Sequence, residues 1–233
     1  MAKTGFKSKT VQKITAWSFS RWKAYDECPY SAKQKFIEKI KTPSGPAMER
    51  GNLIHKAAEA FVKGDVKRLD PLLKPVASHI KRYKKLGAQS ELEITVTNKW
   101  KPTGWFDTDA WLRIKVDLML LIPKKKIITA EVVDYKTGKF KPDNEDYEMQ
   151  LSLYAAGTFS TEPDVNVVDT KLLFTDHNEV VEKTYERDEL KGLIKTWENR
   201  IQPMMNDTLF APRPGWYCRY CHFRKSNGGT CEY

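Results

Sequence analysis

Long apolar runs are missing from this sequence. The longest uninterrupted aliphatic stretch, Leu118–Ile122, falls far short of the roughly 20 residues a membrane-spanning helix takes. Residues 1–15 carry lysines but no apolar core, so no secretory leader is expected there. No internal repeat and no low-complexity linker interrupts the chain. Cysteine is scarce, at four residues in 233, and without a leader these are read as thiols of a reducing, cytoplasmic setting rather than disulfides. Acid is also short: 30 Asp and Glu face 40 Lys and Arg, a net charge of +10. Such an excess suits a polyanion, most often nucleic acid. At 233 residues, 40% hydrophobic and 30% charged, the chain excludes gross disorder. It can bury roughly 70% of its unfolded surface as one domain, or as one domain with a small appendage.

The pattern changes along the chain from helical to strand-like. Residues 1–17 read as a disordered or frayed N-terminus. Ser18 or Ser20 caps a helix running towards Ile40, with a restart at Pro29. A second helix covers about 47–62, with Leu53, Ile54, Ala57, Ala58 and Phe61 on its apolar face, and Gly64 ends it. A third covers about 70–86. Residues 91–97 alternate, and 111–122 alternate strongly, with Leu112, Ile114, Val116, Leu118 and Leu120 expected on one face. The stretch 127–136 reads as a central strand. A helix over about 145–156, a hairpin of 167–174 with 179–185, and a helix over 188–205 complete an α/β domain. The helical part takes 18–88, the sheet-bearing core 89–205 and a cysteine-rich tail 206–233.

Two acids and a lysine stand out. Asp134 closes an apolar strand, where aspartate is disfavoured, and Lys136, two residues on, points to the same side. A hairpin turning at about 124–125 sets cross-strand partners whose numbers sum to about 249, so Asp117 is opposite or diagonal to Asp134. Carboxylates that close repel unless a cation lies between them, and a hard divalent ion, Mg²⁺ or Mn²⁺, suits oxygen ligands. Lys136 then adds a fixed positive charge, able to orient a water or to stabilise charge on a phosphate. His55 lies one helical turn after Gly51. A glycine inside a helix costs up to about 1 kcal/mol, which suggests a close backbone approach. Gln150 and Tyr154 share a helix face and offer hydrogen-bond donors.

Taken together, Gly51-x-x-x-His55, Asp117, Asp134-Tyr135-Lys136-Thr137-Gly138 and Gln150-x-x-x-Tyr154 resemble the motif series of RecB-like nucleases of the PD-(D/E)XK superfamily. Ser18-Phe-Ser-Arg-Trp and Cys28-Pro29-Tyr30 resemble that family's opening segment. The resemblance spans 18–233, with Val116 standing where the "P" of the superfamily name would be. It implies a restriction-endonuclease-like mixed central sheet flanked by helices, in one nuclease domain. It implies that His55, Asp117, Asp134 and the Tyr135 backbone carbonyl bind the metal, and that Asp117, Asp134 and Lys136 carry catalysis. Gln150 and Tyr154 would hold DNA near the site, and Lys23, Lys33, Lys35, Lys39 and Arg50 would line the strand's path. The setting would be a prokaryotic cell or a phage-infected host, with a helicase, recombination or CRISPR protein as partner.

The cysteines cluster as Cys218-x2-Cys221-x9-Cys231, with Cys28 far upstream. That is ligand spacing, and both zinc and iron–sulfur clusters use four thiolates. One remote plus three local cysteines is similar to the iron–sulfur-bearing members of the family, the AddB nuclease domain and the CRISPR-associated RecB-like exonucleases. The resemblance therefore favours a 4Fe-4S cluster, while His222 beside Cys221 keeps a mixed zinc site open. Trp216, Tyr217, Tyr220 and Phe223 are expected to shield the cluster rather than meet bases. The implied activity is a Mg²⁺- or Mn²⁺-dependent DNA exonuclease acting on single-stranded ends. The alternatives are a non-catalytic DNA-binding or assembly module for recombination or CRISPR adaptation, and a zinc-stapled domain with no nucleic-acid role.

Overall fold

The computed structural model describes residues 13–233, so most of the expected frayed N-terminus lies outside the described residues. Its last residues are not frayed: Ile14, Ala16 and Trp17 are buried. Two compact units form among the described residues, one from 13–42 together with Asn199–Tyr233, the other from Pro43–Glu198.

The second unit holds a five-stranded sheet in the order β1-β2-β3-β4-β5. The strands are β1 (Gln89–Val96), β2 (Leu112–Lys124), β3 (Ile127–Lys136), β4 (Val167–Phe174) and β5 (Glu179–Glu186). All neighbours are antiparallel except β3 and β4, which run parallel. A parallel pair needs a crossover, and the helix Glu145–Thr161 supplies it. The architecture is thus a mixed α/β sheet flanked by helices.

With the Phe19–Glu27 and Pro29–Phe36 helices of the first unit as α1 and α2, α3 is Pro46–Lys63, α4 is Ala77–Lys85, α5 is the crossover and α6 is Leu190–Asn206. α3 stops at Gly64, whose left-handed φ of 90° any side chain would resist. Ile54, Ala58 and Phe61 of α3 and Ile80 and Tyr83 of α4 pack with Leu118, Leu120, Val133, Tyr135 and Leu173 in one core. Leu53, expected in that face, is instead 61% exposed.

Val133 packs towards α3 and α4, while its neighbour Asp134 meets α5. Successive strand residues point to opposite faces, so helices cover both sides of the sheet. The alternating row of β2 is buried throughout, but it does not stay on one face. Leu118 joins the α3–α4 core, whereas Ile114 meets α5 at Gly157. The crossing-over falls at Asp117. Pairing with β1 passes from Ser90↔Leu118 to Leu92↔Val116, skipping Glu91 and Asp117, and Glu91 adopts a φ of 59°. Pairing with β3 begins at Leu118↔Val133. Partner numbers with β1 sum to 208 on both sides of the gap, so no residue is inserted and the strand turns over in register.

Glu131, 7% exposed in the middle strand, is held by Arg82 through two bonds of 2.8 Å. Burial alone would raise its pKa, but the Arg82 guanidinium and nearby Lys171 outweigh burial and hold it below the usual carboxylate range. A depressed carboxylate stabilises the fold above its unfolded value near 4.3, and that stabilisation fades as pH falls through the folded value. Arg82→Met strands a buried charge and is expected to cost about 2–3 kcal/mol at neutral pH, moderated because Arg82 is itself partly solvated. Urea melts should show the loss narrowing below about pH 4. The double variant Arg82→Met/Glu131→Leu should recover most of it.

In the first unit, the Ser18 hydroxyl caps α1 by accepting from the Arg21 amide at 3.3 Å, and α2 restarts at Pro29, an apt first-turn residue. The pair ends at Phe36 rather than Ile40. Tyr25 donates to Asp207 at 2.8 Å and stacks edge-on with Phe210. No helix among the described residues is long and apolar enough to cross a membrane.

Candidate active site

The hairpin of β2 and β3 closes through a two-residue turn, since Lys124 pairs with Ile127. Lys125 takes a left-handed φ of 58° there. Partner numbers therefore sum to 251 rather than 249, as Leu118↔Val133 shows. One step further, the register sets Asp117 against Asp134. The ladder has already opened at this point, and the Asp117 carboxylate takes the place of a backbone acceptor. Its Oδ2 accepts from the Tyr135 amide at 2.5 Å. Its Oδ1 lies 2.8 Å from His55 Nδ1 on α3, and the His55 ring meets Tyr135 edge-on at 5.7 Å.

Asp134 is 8% exposed. Its Oδ1 accepts from the Tyr154 hydroxyl at 2.5 Å, and Gln150 Nε2 lies at 3.5 Å from the same oxygen. Lys136 Nζ lies 2.7 Å from the other oxygen, Oδ2, in an ion pair without hydrogen-bond alignment, so Oδ2 is buried with no hydrogen bond. His55, Asp117, Asp134, Lys136, Gln150 and Tyr154 thus form one connected group drawn from four elements. Gln150 and Tyr154, expected to face DNA, are buried against Asp134 and each other. The spacing marked them as a shared face, but what that face meets depends on where α5 crosses the sheet.

Burial and the nearby Asp134 charge push the Asp117 carboxyl up, against the pull of the His55 bond. Burial would lower the His55 imidazole, but the Asp117 and Asp134 carboxylates more than offset it and the net direction is upward. The Tyr154 hydroxyl is pushed well up, by burial first and then by Asp134, so it stays a donor.

Two residues position the group from outside. Gly51 admits a close approach, as its environment suggested: a Cβ there would stand 3.1 Å from Thr137 Oγ1. Arg50, expected along a DNA path, is committed to Asp176 through bonds of 2.9 and 2.6 Å. Asp176 also accepts from the Gly138 amide at 3.0 Å. The start of α3 and the loop following Lys136 are thereby tied together. No local signal in the sequence marked Asp176.

Among the described residues, no three His, Cys, Asp or Glu side chains converge in a geometry that holds a metal ion. The Asp117 oxygens face His55 Nδ1 and the Tyr135 amide, and Asp134 Oδ1 accepts from Tyr154. The donor set still fits a hard divalent cation: two opposed carboxylates, an imidazole, and a buried carboxylate oxygen that no hydrogen bond reaches.

In the first unit, Cys28, Cys218, Cys221 and Cys231 line a single cavity of about 220 Å³. All four are free and half-buried. The tail turns back to bring Cys231 there: its amide donates to the Phe223 carbonyl at 2.7 Å. Gly229 permits the turn, since a Cβ would fall 2.2 Å from that same carbonyl. Of the aromatics expected to shield the thiols, Phe223 is buried and Tyr217 bonds to the Glu27 and Arg213 carbonyls. Tyr220 also lines the cavity but is largely exposed, and Trp216 stands outside it and faces solvent.

Two solved structures share this fold. One, a protein named SSO0001, is 16% identical, with a TM-score of 0.51 over 92% of this chain and 86% of that one. The other, from Eubacterium rectale and named as a candidate exonuclease, is 15% identical, with a TM-score of 0.52 over 90% and 88%. No curated protein sequence matches the chain. The family model described as the PD-(D/E)XK nuclease superfamily matches residues 16–226. That span includes the Asp117, Asp134 and Lys136 constellation, and the chain belongs to the PD-(D/E)XK nuclease superfamily.

Proposed function

We propose that this protein is a Mg²⁺- or Mn²⁺-dependent deoxyribonuclease that removes nucleotides from single-stranded DNA ends. The observation that carries the reading is the convergence of Asp117, Asp134, His55 and Lys136, with Lys136 Nζ 2.7 Å from Asp134 Oδ2. Asp117, Asp134, His55 and the Tyr135 carbonyl would hold the ion, which supplies an activated water and a polarised phosphate when bound. Lys136 orients the attacking water and meets the charge that builds on the phosphate. Tyr154 and Gln150 fix the rotamer of Asp134, and the Tyr135 amide fixes that of Asp117. The preference for ends over internal sites rests on the family resemblance and on the lack, among the described residues, of a separate helix-turn-helix reading module.

The four cysteines on one cavity support a 4Fe-4S cluster ligated by Cys28, Cys218, Cys221 and Cys231, with zinc as the alternative occupant. Its role is structural, joining α2's start to the tail. The setting is cytoplasmic, and a helicase, recombination or CRISPR protein is the partner class the resemblance implies.

The test is end-labelled single-stranded and duplex DNA incubated with anaerobically purified protein in Mg²⁺, Mn²⁺ or EDTA. Metal-dependent shortening of the single strand, as a ladder from one end, is the expected outcome. Folded protein that binds DNA but cuts nothing in either metal would move the reading to a binding or assembly module.

A further inference from the structure

We infer that the C-terminal segment of the first unit carries a stacking surface for single-stranded nucleic acid, built on Trp216 and Tyr220 and flanked by Arg219 and Arg224. The inference deepens the nucleic-acid reading above, but it concerns grip rather than cleavage.

Two large rings, 73% and 69% exposed, stand within one five-residue turn. Scattered exposed apolar residues need no explanation, but two exposed aromatics on a single short turn do. The turn is held from beneath. Tyr217 bonds to the Glu27 and Arg213 carbonyls, and its ring meets Trp216 edge-on at 6.0 Å. Arg219 Nε donates to the Trp216 carbonyl at 3.0 Å, and its guanidinium lies 5.5 Å from the centre of the Tyr220 ring. The rings and the arginine are therefore ordered before any partner arrives, which lowers the entropy cost of binding.

Charge selects the partner. Residues 208–231 contain Arg213, Arg219, Arg224 and Lys225 and no Asp or Glu. Arg219 and Arg224 have no acidic partner among the described residues, whereas Lys225 faces Glu232 at 3.8 Å. Exposed aromatics interleaved with unpaired arginines match unstacked bases and their phosphates. A duplex hides its base faces, so the surface favours single strands and tolerates any sequence.

The experiment measures anisotropy of labelled oligo-dT with the full chain and no added divalent metal, so that nothing is cleaved. Trp216→Ala and Tyr220→Ala are each expected to weaken binding about tenfold at fixed salt. Trp216→Phe should keep most of the affinity, and Trp216→Leu, apolar but without a ring, should lose it. Arg219→Gln should reduce the slope of log affinity against log salt by about one. An oligonucleotide carrying 2-aminopurine should be quenched by the wild type and much less by Trp216→Leu.

Trp216 and Arg219 are exposed and stand outside the cysteine cavity, so melting temperature and bound metal should be unchanged in their variants, and Tyr220→Ala is compared at equal metal content because Tyr220 lines that cavity. Ring variants that bind as the wild type does, or a Leu variant as good as Phe, would overturn the inference. So would a Trp216→Ala variant that binds normally but breaks up an oligomer, since the occupant would then be a second copy of the chain. Failure of the nuclease reading looks different: no metal-dependent cleavage, with these binding differences intact.

Discussion

Asp134→Asn should abolish metal-dependent cleavage, lowering the rate about a thousandfold or more, while DNA binding stays within a few-fold of the wild type. The replacement is nearly isosteric, and its carbonyl can still accept from Tyr154, which now donates at 2.5 Å. What is lost is charge: one of two opposed carboxylates that together suit a divalent cation. Stabilisation of several kcal/mol in the transition state is at stake, and each 1.36 kcal/mol is tenfold in rate. Lys136→Met should be nearly as severe, because it removes the ammonium set 2.7 Å from Asp134. The two losses should not add, since both residues serve one step. Single-turnover cleavage of a labelled strand, with binding measured in parallel, separates these effects. Normal cleavage by Asp134→Asn would remove this group as the active site. Loss of cleavage and binding together, with a lowered melting temperature, would show that the substitution damaged the fold.

The proposed cluster should make anaerobically purified protein brown, and Cys28→Ser or Cys218→Ser should bleach that colour and destabilise the first unit. All four thiols line one cavity, yet Cys28 and Cys218 are roughly 190 residues apart in sequence. A link across such a loop removes about 5 kcal/mol of unfolded-state entropy in the chain-entropy model. Binding of a structural metal is itself folding free energy. The tail's own contacts, such as Tyr30 to Thr230 at 2.6 Å, are few and largely exposed, so they replace little of that sum. Iron and sulfide content, absorbance near 400 nm and limited proteolysis of the tail check the expectation. Colourless wild-type protein with one zinc per chain would replace the cluster but keep the staple. Serine variants with unchanged metal content and melting would leave four ordinary half-buried thiols.

Much of this arrangement follows from local pattern. Strand alternation and a polar turn between two apolar runs were enough to bring Asp117 close to Asp134, because a hairpin's partners are fixed by simple addition. A two-residue period was enough to put Lys136 on the side of Asp134. The order of helices and strands, the Ser18 cap and the restart at Pro29 are short-range matters of turn chemistry and capping, and they are legible for that reason.

Other features depended on tertiary structure, because each joins segments whose distance the local pattern does not encode. The left-handed Lys125 moved the two-residue turn one position along the chain and set the register at 251. The ladder break at Glu91 and Asp117 turned one half of β2's apolar row to the other face, and alternation alone cannot show a break. The path of α5 buried Gln150 and Tyr154 against Asp134, where spacing had given only a shared face and the resemblance had implied a DNA contact. The approach of α3 to the loop after Lys136 gave Gly51 its neighbour in Thr137 and took Arg50 for Asp176. The same limit applies to Trp216 and Tyr220: composition shows that aromatics flank the cysteines, but which rings turn inward depends on the 3₁₀ turn and on what packs beneath it. The residue types and their chemistry were written in the sequence, while their partners were decided by packing, since a side chain's partner is set by the whole chain's geometry and not by its neighbours in sequence.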